Sequence, residues 1–305
     1  MRAVVTGGAG FIGSHVVDAL VAHGLEVSVF DLIANPRRQD VNYLRSSIVD
    51  IEALERAFDG VDYVFHLAAV SNVNVAFKDP VGCVELNVQG TANVLEAARR
   101  QNVSRVVFAS TVWVYSGSRG DEVHEDSPFF VPDAGHIYTS TKLAGELLCH
   151  DYSNLYDLDF TILRYGIPYG PRMRDSLIIS IFIKKALNGE ALTIMGDGLQ
   201  HRNFVYIEDL ARAHVLTLDE KSANQIYNLE GLRKITVQDV ATEVQNAIGE
   251  QVEIEYLPAR PGDYKGKEVS AVKALADLDW SPTIDFEEGM KRTVEWFRNE
   301  GRVQS

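Results

Sequence analysis

The chain has 305 residues, 46% of them hydrophobic, which is enough for one large domain or two coupled ones. Its 43 acidic and 29 basic residues give a net charge of −14, which argues against a general nucleic-acid binder. It contains no run of about 18 apolar residues, so we expect no membrane span.

The cysteines and the first residues indicate the compartment. Cys83 and Cys149 fit no CxxC pattern and read as reduced structural residues. Glycines interrupt the apolar run at the N-terminus, so we expect no signal peptide. The sequence therefore predicts a cytoplasmic protein in a reducing compartment, and we expect no bound metal.

Strand and helix patterns alternate in the first half of the chain. The predicted strands are 2–6, 26–30, 61–69, 105–111 and 159–165, within about six strands before residue 166. The predicted helices are 11–24, 51–58, 82–102 and 137–156. Repeated strand-helix-strand units with fully apolar strands predict a parallel sheet that is covered on both faces.

The second half is less regular. Helices are predicted at 176–190, at 236–249 with Thr236 as N-cap, and at 286–300. We therefore predict an α/β fold, a Rossmann-type doubly wound parallel sheet with a smaller, interleaved C-terminal lobe. The expected division is a dinucleotide domain at 1–165, to which roughly 203–230 returns, and a mainly substrate-binding lobe at 166–305.

A glycine-rich segment lies between the first strand and the first helix. Its sequence TGGAGFIGS fits G-x-G-x-x-G from Gly8 and G-x-x-G-x-x-G from Gly7. A glycine-rich turn without a ligand is the alternative, and a lone motif is weak evidence. Its position at the first strand-helix turn favours a pyrophosphate held by the helix N-terminus.

The cofactor type is indicated by the residue that ends the second strand. Asp31 stands there, where a carboxylate binds the adenosine ribose hydroxyls and repels a 2′-phosphate. Arg37 and Arg38 could bind such a phosphate, but their presence in a solvated loop is the simpler explanation for two arginines at these positions. The sequence therefore predicts NAD rather than NADP.

Three residues form a candidate catalytic set. Tyr138 and Lys142 are four residues apart on a predicted helix, so their side chains share one face. A nearby ammonium lowers the pKa of a phenol from about 10, and bringing it near 7 takes roughly 4 kcal/mol. Thr111 ends a strand at the sheet edge where ligands bind, and its hydroxyl could orient a substrate oxygen.

These motifs, in this order, resemble the extended short-chain dehydrogenase/reductases, and more closely their NAD-dependent nucleotide-sugar epimerase/dehydratase family. The similarity covers nearly the whole chain and rests on the segments TGGAGFIGS, HLAA, ASTVWVY, YTSTK, LRYGIPYGPR, GDGLQHRNFVYIEDLA and ARPGD. Within the family the motifs are most similar to those of UDP-glucose (UDP-galactose) 4-epimerases. The resemblance also implies a homodimer through a four-helix interface of 82–101 and 137–156.

The resemblance implies roles for individual residues. The cofactor set is Gly7, Gly10, Phe11, Ile12, Gly13, Asp31, Ser47, Ile48, Leu67, Ala68, Ala69, Tyr138, Lys142 and Tyr165. The catalytic set is Thr111, Tyr138 and Lys142, of which Thr111 and Tyr138 also contact the substrate. Arg202 and Arg260 would clamp the nucleotide diphosphate, and Asp263 would lie on or near the uridine ribose.

The residues after Thr111 bear on the reaction. Dehydratases of the family carry an Asp-Glu pair there and decarboxylases a Glu, whereas this chain has Val112 and Trp113. The resemblance therefore implies the simplest reaction, in which the sugar is oxidised at C4 and reduced again on its other face.

Several alternatives remain open. Ile167 and Pro168 replace an expected Asn and its neighbour, Ser47 an expected Asp, and Ser116 an expected Gly. The first of these departures leaves open a different sugar or base. Dehydration, decarboxylation or another epimerisation is the alternative enzyme function, and an NAD-binding sensor is the non-enzyme alternative.

Overall fold

The computed structural model describes residues 1–33, 37–120, 122–130, 134–258 and 268–303. Its strands are β1 (Arg2–Thr6), β2 (Glu26–Asp31), β3 (Asn42–Arg45), β4 (Tyr63–His66), β5 (Arg105–Thr111), β6 (Glu122–Val123), β7 (Asp159–Tyr165), β8 (Ile167–Tyr169), β9 (Leu192–Met195), β10 (His201–Tyr206), β11 (Gln225–Leu229), β12 (Lys234–Thr236), β13 (Ile254–Leu257) and β14 (Glu268–Val269). Its helices are α1 (Phe11–Ala22), α2 (Ile51–Ala57), α3 (Val73–Lys78), α4 (Pro80–Val84), α5 (Gly90–Arg100), α6 (Ile137–Tyr156), α7 (Ile178–Leu187), α8 (Ile207–Leu216), α9 (Val237–Ile248), α10 (Val272–Leu278) and α11 (Phe286–Val303).

Two compact units divide the chain. The first unit consists of Met1–Tyr165, Ala211–Leu229 and Val269–Ser281. The second unit consists of Gly166–Leu210, Glu230–Glu268 and Pro282–Ser305. None of the helices in the described ranges is long and apolar enough to cross a membrane.

The first unit is built on one parallel sheet of seven strands, in the order β11-β7-β5-β4-β1-β2-β3. All seven residues of β5 are buried, as expected for a central strand covered on both faces. The core on one side of the sheet joins residues of α2, α5 and α6 to residues of β4, β5 and β7. The predicted Rossmann-type α/β fold is confirmed.

One predicted helix is interrupted in the structure. The segment 82–102 is divided into α4, a π-helical turn at Glu85–Gln89, and α5. The first of these begins earlier than predicted, at Pro80, because the Asp79 carboxylate accepts a hydrogen bond from the amide of Gly82. The segment 137–156, by contrast, forms α6 with the bounds predicted from the sequence.

The second unit contains a three-stranded sheet β12-β10-β8, the pair β13-β9, and helices that include α7, α9 and α11. Helix α9 begins at the predicted N-cap Thr236, in a capping box with Asp239. The expected return of 203–230 is too long at its start, because β10 pairs with β8 and β12 and stays in this unit. The return begins at Ala211, and a second one, Val269–Ser281, was not predicted.

Candidate active site

The loop between β1 and α1 is shaped by three glycines. Gly7 has φ +71°, and its carbonyl accepts a hydrogen bond of 3.1 Å from the amide of Gly10. A Cβ on Gly13 would lie 2.1 Å from the same carbonyl oxygen, so only glycine lets α1 approach the loop this closely. A Cβ on Gly8 would meet the methyl groups of Val29 on β2. The spacing Gly7-x-x-Gly10-x-x-Gly13 thus describes the turn, and Gly8 serves packing.

The N-terminus of α1 has the properties of an anion site. Its N-cap is Gly10, no side chain of the described residues caps it, and its first turn holds no acidic residue. The first amides of a helix have no acceptor within it, which leaves those of Phe11, Ile12 and Gly13 available to a ligand. This arrangement fits the pyrophosphate of a dinucleotide.

Asp31 is fixed beside this loop at the end of β2. One carboxylate oxygen accepts from the amide of Ala9 at 3.0 Å and the other from the amide of Ile33 at 3.1 Å. Each oxygen keeps acceptor capacity for a ribose hydroxyl. Arg38, the alternative phosphate ligand, is paired with the carboxylates of Asp18 and Asp40, which raise its pKa. This favours a ribose without a 2′-phosphate.

Other predicted cofactor residues also lie at the carboxyl ends of strands. A Cβ on Gly7 would be 2.7 Å from the amide of Ala68, so the segment of Leu67, Ala68 and Ala69 after β4 touches the glycine loop. After β3, the Ser47 hydroxyl accepts from the amide of Val49 at 3.3 Å. The side chain of Ile48 is buried in the core, and its backbone carbonyl accepts a hydrogen bond of 3.2 Å from the Asn93 side chain, so a ligand contact would fall to its amide.

Lys142 places a buried ammonium one helical turn after Tyr138 on α6. Its side chain is 5% exposed, and Nζ donates a hydrogen bond of 2.6 Å to the carbonyl of Ala109. Nζ also lies 4.8 Å from the centroid of the Phe108 ring. Burial lowers the pKa of Lys142 to about 8. The contact with Ala109 ties the helix to the strand that ends at Thr111.

Thr111 and two aromatic side chains complete the surroundings of Tyr138. The Thr111 hydroxyl oxygen accepts from the amide of Trp113 at 3.3 Å, which caps the 3₁₀ turn Val112–Tyr115. The Tyr138 ring lies 6.5 Å from the Trp113 ring and 6.0 Å from the ring of His136. A phenol, an ammonium and a hydroxyl are thus carried by two elements in contact.

Tyr165, which pairs with Thr111 in the β5–β7 register, uses its hydroxyl inside the protein. The hydroxyl oxygen lies 2.6 Å from Nε2 of the buried His214. Burial raises the pKa of Tyr165 well above its usual value. The predicted contact with a nicotinamide therefore depends on the ring or the backbone rather than on the hydroxyl.

A buried polar chain beneath the site was not predicted. His66 lies between the hydroxyls of Thr6, 2.8 Å from Nδ1, and Thr91, 3.0 Å from Nε2. The Thr91 hydroxyl donates to the backbone carbonyl of Asn87. The side-chain amide of Asn87 donates to the hydroxyl of Thr141. That hydroxyl donates in turn to the carbonyl of Tyr138. Burial lowers the pKa of His66 to about 3, so the imidazole is neutral.

A buried ion pair was also missed. Arg164 on β7 donates to both carboxylate oxygens of Glu146 on α6, at 3.0 and 2.7 Å. The hydroxyl of Ser110 donates to the same carboxylate at 2.5 Å. Ser110 precedes Thr111, and Glu146 follows Lys142 by one turn, so this pair fixes α6 on the strands that carry the site.

Among the predicted substrate residues, Thr111 and Tyr138 belong to the first unit and Arg202 to the second. Arg202 lies in β10, and its guanidinium donates to the carbonyl of His201 at 2.6 Å. Arg260 and Asp263 lie outside the described residues. Glu230 follows the last residue of β11, is 7% exposed, and its Oε2 finds no hydrogen-bond partner in the described part of the chain. Burial raises the pKa of Glu230 to about 8, and the carboxyl packs against Gly166.

The fold and this site define a class of protein, the dinucleotide-dependent enzymes with a Rossmann-type sheet and a Tyr-Lys pair beside a strand-ending hydroxyl. The family model described as the NAD dependent epimerase/dehydratase family matches residues 3–229. The chain belongs to this family, whose cofactor is NAD.

Solved structures and curated relatives agree with this assignment. The chain is similar to the UDP-glucose 4-epimerase of Thermus thermophilus in complex with NAD, with a TM-score of 0.88, 37% identity, and 98% and 99% of the two chains covered. It is similar to the UDP-glucose 4-epimerase of Thermotoga maritima with UDP-glucose, with a TM-score of 0.90, 33% identity and the same coverage. It is also 31% identical to a UDP-N-acetyl-alpha-D-glucosaminuronate decarboxylase of Bacillus cytotoxicus, over 97% of this chain and 98% of the relative.

Proposed function

We propose that this protein is a nucleotide-sugar 4-epimerase of the UDP-glucose/UDP-galactose type. The observation that carries the proposal is the buried Lys142 beside Tyr138, with Thr111 on the adjoining strand end and no carboxylate at Val112 or Trp113. The two epimerase structures support the same reaction by similarity over nearly the whole chain. The decarboxylase relative makes loss of carbon dioxide the enzyme alternative.

The cofactor would be held by residues of the first unit. The amides at the start of α1 would bind the pyrophosphate, and Asp31 the adenosine ribose. When bound, NAD supplies a hydride acceptor and donor for C4 of the sugar. The second unit would hold the nucleotide diphosphate, with Arg202 and Arg260 as the proposed anion ligands and Asp263 near the nucleoside ribose.

The chain's own residues would move the proton. The Tyr138 phenolate would take the proton of the sugar C4 hydroxyl and later return it to the same oxygen. The Lys142 ammonium would stabilise the phenolate, and it can do so because burial strengthens their interaction. The Thr111 hydroxyl would donate a hydrogen bond to the substrate oxygen. This division of roles requires no further acid or base.

One assay tests the reaction. The protein is incubated with UDP-glucose, UDP-galactose, their N-acetyl and uronic-acid forms, and GDP- and CDP-sugars. The products are separated by chromatography and their masses are measured by mass spectrometry. An epimer of unchanged mass is the expected product. A loss of water or of carbon dioxide would replace the epimerase proposal by the corresponding alternative. If no sugar is converted although NAD is bound, the sensor alternative replaces it.

The Tyr138→Phe variant tests the catalytic assignment. We expect turnover to fall by at least about 10²-fold, because the phenyl ring cannot take the proton. NAD released from the denatured variant should match the wild-type amount, since the glycine loop is unchanged. Turnover near the wild-type value would show that another residue is the base.

The cytoplasmic location is part of the proposal and fits the two buried thiols, Cys83 and Cys149.

A further inference from the structure

The first turn of α6, which carries Tyr138, is capped by an imidazole. His136 is the N-cap residue, with the extended backbone angles φ −162° and ψ 161°. Its Nδ1 accepts a hydrogen bond of 3.2 Å from the amide of Thr139, and the Thr139 hydroxyl lies 3.1 Å from the same nitrogen. Tyr138 lies between His136 and Thr139 in the chain, so this hydrogen bond closes a turn that contains Tyr138.

This cap works in one protonation state. A ring nitrogen that accepts from an amide carries no proton, so the neutral ring has its hydrogen on Nε2. Protonation of Nδ1 removes the acceptor and places a cation at a helix N-terminus, where the dipole disfavours it. Half-burial of the ring acts in the same direction and lowers the pKa of His136. The imidazole is therefore neutral at neutral pH.

The same ring joins the helix to the strand that ends at Thr111. The centroids of the His136 and Trp113 rings are 5.0 Å apart, and each ring also neighbours Tyr138. Trp113 belongs to the 3₁₀ turn that the Thr111 hydroxyl caps. Among the described residues, His136 thus faces an uncharged indole from this turn, and from its own helix the phenol of Tyr138 and the hydroxyl of Thr139.

We propose that His136 is a positioning residue: its neutral imidazole holds the first turn of α6, and with it Tyr138, against Trp113, and protonation releases that turn. The inference rests on the proposed function for its effect on turnover, but the cap itself is independent of the substrate. Because the pKa of His136 is lowered from its usual value, the cap is lost only as pH falls through that lowered pKa, and turnover should fall with it.

The first experiment observes the cap directly. Protein labelled with ¹⁵N-threonine is titrated from about pH 8 to about pH 5, and the amide of Thr139 is followed by NMR. We expect its resonance to move with a midpoint below 6.5 and its protection factor, the intrinsic exchange rate at each pH divided by the observed rate, to fall, while the amide of Thr141, inside the same helix, stays unchanged in both. In His136→Asn, which caps without titrating, the Thr139 resonance should not move. A wild-type Thr139 amide that stays unmoved and protected across this range would overturn the proposal.

The second experiment measures turnover against pH. Protonation of Tyr138 contributes to the acid limb in every variant, so the comparison is with His136→Asn, which retains that contribution. At the acid end of the profile, below the lowered pKa of His136, this variant should keep up to about fivefold more of its pH 8 turnover than wild type, the size of effect that one helix cap has on a local equilibrium. His136→Ala should be impaired at every pH. Acid limbs that coincide in wild type and His136→Asn would overturn the proposal. If no sugar is converted at all, the proposed function fails while the NMR titration still decides the cap.

Discussion

Lys142 places an ammonium in the interior of the first unit, where burial lowers its pKa to about 8. The charge that would stabilise the Tyr138 phenolate therefore lowers the stability of the folded protein. The free energy that corresponds to this pKa change is about 3 kcal/mol. A substitution that removes the ammonium would recover this free energy. It would also remove the hydrogen bond to Ala109, which offsets about 1 kcal/mol of the increase in stability.

We predict that Lys142→Met abolishes turnover but stabilises the cofactor-free protein at pH 7 by about 2 kcal/mol. The folded-state pKa is lower than the unfolded one, so the cost of the charge is complete below pH 8 and disappears as pH rises towards about 10.4. The stability gain, measured by denaturant unfolding, should shrink over the same range. The exposed Lys291→Met serves as control and should change little. A Lys142→Met variant that is less stable than wild type at pH 7 would contradict this account.

At the scale of elements, β1, the glycine loop and α1 pack closely against one another, because the loop has no room for side chains at Gly7 and Gly13. The Gly13→Ala variant puts a Cβ 2.1 Å from the carbonyl oxygen of Gly7, so α1 must move away from the sheet. We predict that the variant retains less than a tenth of the bound NAD and unfolds at lower denaturant concentration. Gly10→Ala, whose Cβ would lie 3.2 Å from the same oxygen, should lose less of both. NAD content is measured after denaturation, and equal losses in the two variants would show that close packing is not the cause.

The elements differ in how far the sequence predicts them. The bounds of α6 follow from its periodicity, and the glycine loop and Asp31 from their place between strands. The π-helical turn that contains Asn87 has no sequence signature, because helical propensity does not distinguish it from an α-helix. His136 is not a usual N-cap type, so no capping pattern indicated it.

Contacts between distant segments were also beyond the sequence. Glu146 and Arg164 read as ordinary charged residues of a helix and a strand. Their pairing depends on where α6 crosses β7, which only the packed structure gives. The same is true of Glu230, whose burial follows from its position against Gly166.

At the scale of the whole molecule, one surface of the first unit carries exposed apolar side chains. They lie on α3, α4 and α6, which contact one another, and include Phe77 (84% exposed), Val81 (77%), Leu147 (65%) and Leu155 (70%). Several large apolar side chains exposed on neighbouring helices indicate an interaction site. Because the helices lie side by side, a second copy of the chain related by a two-fold axis would present the same surface in return. We propose that this surface belongs to a homodimer interface; Leu147 and Leu155 lie in one of the two segments, 82–101 and 137–156, for which the resemblance implied it, whereas Phe77 and Val81 precede the other.

The proposed dimer can be broken by one charge. We predict that Leu147→Lys sediments as a monomer at concentrations where wild type is a dimer, since the interface would then bury a lysine from each copy without a partner. The exposed Leu275 on α10 provides the control, and Leu275→Lys should remain a dimer. Residues 137–156 also carry Tyr138 and Lys142, so loss of the interface should lower the thermal stability of α6 and, with it, turnover. Analytical ultracentrifugation of wild type and both variants across a dilution series measures the oligomeric state. A Leu147→Lys protein that stays dimeric would place the interface elsewhere, and a monomeric wild type would remove it.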